Sequence, residues 1–99
     1  MHVTTVRIRT GDQAITNATI VAEEMHRWLR ENDGFQGLLF LSRQGTSLVL
    51  SFWESKELAD RHAAVRAQFR ERISAVMDVE IEEVSDYAVA FAALEDVRT

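Results

Sequence analysis

Two neighbouring apolar runs, residues 35–42 and 46–53, limit what this chain can fold into more than any other feature of its sequence. Gly45 stands between them where a tight reversal favours a positive φ, so the runs are predicted to form an antiparallel hairpin. Large apolar side chains occupy odd and even positions of both strands: Leu38 and Phe40 oppose Leu39 and Leu41, and Leu48, Leu50 and Phe52 oppose Val49 and Trp53. Because successive side chains of a strand point to opposite faces, neither face of the predicted sheet can be left to water.

A strand and a helix are predicted before the hairpin. Val6 and Ile8 alternate with charged residues, which predicts a strand over residues 2–9 that ends near Gly11. Apolar residues then recur at three- and four-residue steps, which predicts an amphipathic helix with a cap at Asp12. Gly34 suits the left-handed residue that commonly ends a helix, so the chain can turn directly into the hairpin.

A second helix and a last strand are predicted after the hairpin. Ser55 is a suitable N-cap for the helix. Its apolar stripe consists of Leu58, His62, Val65, Phe69, Ile73 and Val76. The last strand is predicted over residues 79–91, with an irregularity near residues 85–86, and residues 92–99 are predicted to be a tail or short extension.

The predicted order is strand, helix, strand, strand, helix, strand. This order is typical of the α+β, ferredoxin-like βαββαβ fold, a four-stranded antiparallel sheet with both helices on one face. Two helices leave the other face of the hairpin uncovered, although it is also apolar. We therefore expect a homodimer through the open sheet face, since an apolar patch of that size is rare on a monomer.

Composition narrows the possible partners. With 99 residues, the chain is expected to form a single domain over residues 1–99. Sixteen acidic residues against eleven basic ones give a formal charge of -5, which disfavours nucleic acid and anionic membranes as partners. The chain has no cysteine, no secretion-signal pattern and no apolar run near the ~20 residues of a membrane span, so a cytoplasmic protein is expected.

Residues 34–37, the hairpin and residues 52–56 running into a helix resemble the antibiotic biosynthesis monooxygenase family of dimeric α+β barrel proteins. The resemblance implies a ligand cavity between sheet and helices. It also implies one of several activities, because this scaffold carries cofactor-free oxygenases of aromatic polyketides, haem-degrading enzymes and members without known activity. Carried over by position, His62 stands where haem-degrading relatives have a cavity tryptophan.

His62 is the candidate catalytic residue. It is the one ionisable residue on the apolar stripe of the second helix, between Leu58 and Val65. A histidine there could act as a general base or hydrogen-bond a ligand oxygen. The alternative is a core histidine whose ring nitrogens are satisfied by backbone or hydroxyl groups.

Four aromatic residues are candidate ligand-binding residues: Trp53, Phe69, Trp28 and Tyr87. The tryptophans could stack on a planar ligand, but each also stands where a core needs bulk. Glu23 and His26 have the Glu-x-x-His spacing of di-iron bundles, yet such a site needs the motif twice and it occurs once. We therefore expect no metal and no cofactor.

Three functions stay open at this point. The first is a cofactor-independent monooxygenase, or a related isomerase or cyclase, that acts on a hydrophobic, aromatic small molecule beside Trp53, His62 and Phe69. The second is a non-catalytic dimeric module that binds a hydrophobic small molecule or has a stress or regulatory role. Haem binding or degradation is a weaker third, because the haem-ligating histidine of those relatives has no counterpart here.

Overall fold

The computed structural model describes residues 1–9, 14–77 and 80–95. Its elements are, in chain order, β1 His2–Arg9, α1 Ala14–Leu29, β2 Phe35–Arg43, β3 Thr46–Trp53, α2 Lys56–Arg61, α3 Ala63–Met77 and β4 Glu80–Ala88. The predicted bounds of β1 and of the hairpin strands agree with these to within one residue. The predicted cap at Asp12 lies outside the described residues, as do residues 96–99 of the predicted tail.

The described strands form one antiparallel sheet in the order β2-β3-β1-β4. This confirms the predicted α+β, ferredoxin-like arrangement. Local signals set its turns: Gly34 and Gly45 have φ values of 82° and 76°, and the Ser55 hydroxyl accepts a hydrogen bond from the Leu58 N–H at 3.2 Å. Within the described residues, no helix is both long enough and apolar enough to cross a membrane.

The predicted single helix after Ser55 is wrong, because the structure breaks it at His62 into α2 and α3. In a continuous helix, the carbonyl of Ala59 would accept a hydrogen bond from the N–H of Ala63. Here that carbonyl instead accepts from the His62 N–H at 3.3 Å and from Nη1 of Arg66 at 2.5 Å. A side chain from the next turn thus takes over a helix carbonyl, and α2 ends with His62 as its C-cap.

Two expectations for the last strand are also wrong. The register shift of β4 against β1 lies between Glu83 and Ile81, not near residues 85–86, so Glu82 is the extra residue. A shift by one residue moves Ile81 onto the same face of the sheet as Val84. The strand ends at Ala88, which pairs with His2, instead of at residue 91. Beyond it the Val89 N–H donates one more hydrogen bond to the Met1 carbonyl at 3.0 Å, and described residues 89–95 form no further strand.

The two faces of the sheet have different surroundings. One face packs under the helices and forms the core of Val6, Ile8, Met25, Leu29, Val49, Trp53 and Ala59. The other, which we call the open face, carries Val3, Thr5, Leu39, Leu41, Leu48, Leu50, Phe52 and Tyr87. On β3 the residues of the helix-covered face are buried and those of the open face are half-buried. The described helices therefore cover one apolar face, while on the second face Val3 is buried and the apolar residues of β2 and β3 are half-buried or exposed.

Candidate functional site

His62 lies at the break between α2 and α3, with its ring against the core. The imidazole stacks on the indole of Trp53, with 5.6 Å between ring centroids and 24° between ring planes. Its Nε2 atom is buried and has no hydrogen-bond partner among the described residues. A buried nitrogen without a partner is costly, so the structural alternative of a fully satisfied core histidine does not describe this side chain.

Trp53 ends β3 and is completely enclosed, with 0% of its surface exposed. Its Nε1 donates a hydrogen bond at 3.1 Å to the hydroxyl of Ser51, which in turn is hydrogen-bonded to the hydroxyl of Thr4. Alternation along β1 and β3 places both hydroxyl side chains on the helix-covered face. The indole N–H is therefore satisfied from the sheet side, and the flat ring is presented to His62.

Arg66, which the sequence did not single out, completes the surroundings of Trp53. Its side chain is 7% exposed, and the guanidinium carbon lies 5.0 Å from the centroid of the indole. Burial lowers the pKa of Arg66 below its ordinary value. The position is four residues after His62, and helix periodicity could have drawn attention to it, since residues four apart share one face.

Trp28 and Phe69 form a second stacked pair, between α1 and α3. Their ring centroids are 5.6 Å apart with 21° between planes, and both line a groove of about 470 Å³. The groove is bordered by Glu24, Arg27, Glu31, Val65, Gln68 and Arg72. Arg72 and Glu24 form an ion pair across it at 3.8 Å. Trp28 is 36% exposed, so its ring is available to a ligand in this groove.

The predicted site residues are thus divided among three places. His62 contacts Trp53 in the interior, and Phe69 contacts Trp28 at the groove while also packing against the core that contains Trp53. Tyr87 pairs with Val3 on the open face, where it lines a depression of about 130 Å³. Tyr87 is therefore separated by the sheet from the other four.

The described residues contain no cluster of side chains that could bind a metal ion. Among the side chains that the structure describes, no group of three histidine or acidic residues is placed to hold a metal ion. The pair Glu23 and His26 consequently stands without the further ligands that a di-iron site requires.

Solved structures with the same fold include oxygenases. A protein from Deinococcus radiodurans, provisionally assigned as an antibiotic biosynthesis monooxygenase, has a TM-score of 0.73 at 16% identity, covering 96% of this chain and 98% of its own. SnoaB, a cofactor-independent oxygenase from Streptomyces nogalater, has a TM-score of 0.67 at 16% identity, covering 95% and 98%. A protein of unknown function from Nitrosomonas europaea reaches 0.72 at 10% identity, covering 97% and 95%.

The similarity confirms the predicted resemblance at the level of the fold, which is that of the antibiotic biosynthesis monooxygenases. No protein-family model matches the chain, and no curated protein matches it. Identities of this size define a scaffold, and the scaffold carries several chemistries. The reaction has to be argued from the side chains of this chain.

Proposed function

We propose that the chain is a cofactor-independent monooxygenase, or a related isomerase or cyclase, acting on a hydrophobic aromatic small molecule. The observation that carries the proposal is the Nε2 of His62, which is buried without a hydrogen-bond partner among the described residues while its ring stacks on Trp53. A nitrogen in this state is suited to accept a proton from a bound carbon acid or phenol. The shared fold with SnoaB supports the same kind of reaction.

The oxygenase step needs only the substrate, dioxygen and a base. His62 removes a proton from an activated CH₂ group, and the resulting carbanion adds to dioxygen. Return of the proton gives a hydroperoxide, which loses water to form a carbonyl. One oxygen atom stays in the product and the other leaves as water, so the substrate carbon is oxidised and dioxygen is fully reduced.

The groove between α1 and α3 is the proposed entrance and binding surface for the aromatic rings of the substrate. Trp28 and Phe69 stack on one another there, and a planar ligand ring could stack on the same pair. Phe69 connects the groove to the core that holds Trp53.

We also propose a homodimer in which a second copy covers the open face. The apolar side chains of β2 and β3 on that face are half-buried or exposed, and Leu41 is 47% exposed. Exposed Phe91 and Leu94 follow β4 and add apolar surface. Patches of this extent are characteristic of interfaces. The expected cytoplasmic location stays a prediction.

A non-catalytic binding module is the second candidate, and one observation favours it. The groove that could hold an aromatic ligand is lined by Trp28 and Phe69, whereas neither His62 nor Trp53 lines it. A ligand confined to this groove would not reach the base.

Replacement of His62 tests the oxygenase proposal. Purified His62→Gln protein is compared with the parent in oxygen uptake with an anthrone, whose CH₂ group is acidic and is oxidised to a quinone carbonyl. We expect kcat to fall by about 100-fold or more, since the variant lacks a base. The matched control is His26→Gln, which makes the same change at an exposed histidine.

Uptake that persists in His62→Gln would remove the proposed role of His62. Tight binding of anthrones by the parent without any uptake would instead favour the binding module.

Sedimentation equilibrium tests the dimer. Leu41→Glu places a charge on the open face and should shift the protein toward monomer, whereas Ala64→Glu adds the same charge at an exposed position on α3 and should not. A parent protein that sediments as a monomer at all concentrations contradicts the proposal.

A further inference from the structure

We propose that α2 is a gate beside Trp53. The segment opens at its two ends, Ser55 and His62, while the sheet and α3 stay folded, and the opening admits a small molecule to Nε2 of His62. The opening itself is a property of the fold, and only its use by a substrate rests on the proposed function.

The surroundings of His62 are closed in the structure. Trp53 and Ala59 are both 0% exposed, and the Nε2 atom of His62 is buried. His62 lines neither the groove between α1 and α3 nor the depression on the open face. A ligand can therefore reach this nitrogen only after a neighbouring segment has moved.

The segment α2 is held in place by little apolar contact. Of its six residues, Ala59 is buried, Leu58 is half-buried and the other four are exposed. One methyl group and part of a leucine side chain are a small apolar burial, whereas the strands contribute several large side chains to the core. Segments with few buried apolar contacts open at a lower free energy than the whole protein unfolds.

Two polar groups are buried next to the closed α2. Nε2 of His62 has no hydrogen-bond partner among the described residues. Arg66 is 7% exposed, forms no ion pair with a described residue, and donates from Nη1 to the carbonyl of Ala59. Burial lowers the pKa of Arg66, so its charged form is held there at a cost. Opening returns these groups to water, which lowers the free energy of opening.

Both ends of α2 have the backbone geometry of hinges. Ser55 is extended, with φ -149° and ψ 162°, and His62 leaves the helical region, with φ -103° and ψ 12°. The helix α3 begins its own hydrogen bonds with the one from the Arg66 N–H to the His62 carbonyl at 3.1 Å. Residues at the ends of elements can absorb a change in φ and ψ while the elements on either side stay intact.

A fixed α2 makes a different prediction. Leu58 lies so close to Gly34 that an added Cβ on the glycine would be 2.5 Å from Cδ1 of Leu58, and Arg66 holds the Ala59 carbonyl. If these contacts fasten α2 as firmly as the strands, the side chain at position 59 meets solvent only when the whole protein unfolds. The free energy of opening, compared with that of unfolding, is therefore the property to measure.

Thiol labelling measures the opening, because the chain has no cysteine of its own. Ala59→Cys places a thiol at the buried position of α2, and Ser47→Cys places one at a residue of β3 that is 2% exposed. The reaction of each protein with an aromatic disulfide reagent is followed at several urea concentrations below the unfolding transition.

We expect the thiol at position 59 to react at least about 100-fold faster than the one at position 47, with a weaker dependence on urea, since local opening exposes less surface than unfolding. Leu58→Ala should speed the reaction of Ala59→Cys by about 10-fold, because it removes apolar contact. His62→Phe should slow that reaction by about 10-fold, because it keeps an aromatic ring and removes the buried nitrogen.

Two control substitutions are made in the Ala59→Cys protein. Leu38→Ala truncates a half-buried leucine of β2 that packs against the core, so it lowers the free energy of unfolding. His26→Phe makes the aromatic change at an exposed histidine. Neither should alter the labelling rate at position 59 by more than about twofold.

Three results would overturn the proposal. The first is labelling at position 59 with the same rate and the same urea dependence as at position 47. The second is a rate at position 59 that Leu38→Ala raises as much as Leu58→Ala does. The third is a rate at that position which neither Leu58→Ala nor His62→Phe changes.

Hydrogen exchange of the parent protein decides the question if Ala59→Cys does not fold. The amide protons of Ala59 and His62 should exchange faster than those of Val6 and Val49, which pair with each other on the two inner strands. Equal protection of all four amides contradicts the gate.

Oxygen uptake separates this inference from the proposed function. Local labelling at position 59 in a protein whose parent takes up no oxygen supports the gate and contradicts the oxygenase. Uptake by the parent, combined with labelling at position 59 only through unfolding, contradicts the gate and leaves the oxygenase intact.

Discussion

Two aromatic pairs in this molecule have nearly the same stacking geometry and very different surroundings. Trp53 and His62 lie 5.6 Å apart at 24°, and Trp28 and Phe69 lie 5.6 Å apart at 21°. Trp53 is 0% exposed, whereas Trp28 is 36% exposed. We call them the inner pair and the outer pair. Their contrast shows that stacking geometry alone does not distinguish a buried reaction site from a surface groove.

The polar groups around the two pairs also differ in burial: those around the inner pair are buried, and those around the outer pair are exposed. The inner pair is surrounded by buried hydrogen bonds, from Trp53 to Ser51 and from Arg66 to Ala59. The outer pair is bordered by long charged side chains, including the exposed ion pair of Arg72 and Glu24. Buried hydrogen bonds hold groups in position, while exposed ion pairs rearrange at little cost. The inner pair is thus suited to chemistry and the outer pair to ligands of varied shape.

The largest expected effect comes from truncating each tryptophan. Trp53→Ala should lower the free energy of unfolding by about 3–5 kcal/mol, because it removes a fully enclosed ring and leaves a cavity. Trp28→Ala should cost less, about 2 kcal/mol, since 36% of that residue is already exposed and truncation at the surface leaves no enclosed cavity. Urea unfolding followed by circular dichroism measures both. Equal losses would mean that the pairs do not differ in packing.

The next effect concerns how α2 is seated next to the inner pair. Gly34→Ala should cost about 2–3 kcal/mol, since φ is 82° and an added Cβ would lie 2.5 Å from Cδ1 of Leu58. Gly37→Ala is the control, because its nearest neighbour beyond the adjacent residues would be 3.8 Å away. Urea unfolding gives both values, and a stable Gly34→Ala protein would show that α2 is not held closely there.

Removing the hydroxyl beneath the inner pair should have a smaller effect. Ser51→Ala leaves the Trp53 N–H and the Thr4 hydroxyl without their partner, and it should cost about 1–2 kcal/mol. Ser42→Ala, an exposed serine of β2, should change stability very little. Thermal unfolding compares them. A loss no larger than that of the control would mean that the hydroxyls do not hold the indole in place.

The smallest effect is expected at the outer pair. Arg72→Gln breaks the ion pair with Glu24 and should change the free energy of unfolding by less than about 1 kcal/mol, with the difference shrinking at high salt. Unfolding at low and high salt checks this. If Arg72→Gln lowered the free energy of unfolding by several kcal/mol at both salt concentrations, the ion pair would be part of a rigid structure, contrary to this prediction.

Much of the fold could be predicted because its signals are local. Gly34 and Gly45 have the positive φ values that their turns need, and Ser55 caps α2 through its hydroxyl. Alternation along the hairpin placed apolar residues on both faces, and the sheet has that pattern. Each of these features depends on a few consecutive residues.

The candidate site could be predicted only in part. The stripe of the second helix pointed to His62, but the helix break came from Arg66, whose side chain bonds to Ala59 seven residues earlier. Nothing in residues 60–63 has the glycine or proline that marks a break. Tyr87 was grouped with the others because alternation in the sequence does not show the extra residue Glu82. That residue places Ile81 and Tyr87 on opposite faces of the sheet.

By itself, the sequence determined the order of the elements, their turns and the presence of apolar side chains on both faces of the hairpin. Backbone periodicity and turn chemistry act over a few residues, so they can be read from the chain directly. Only the tertiary structure decided that Trp53 is enclosed while Trp28 is partly exposed, and that both His62 and Arg66 contact the Trp53 indole. Burial and pairing depend on which distant segments meet, and the sheet register settles that.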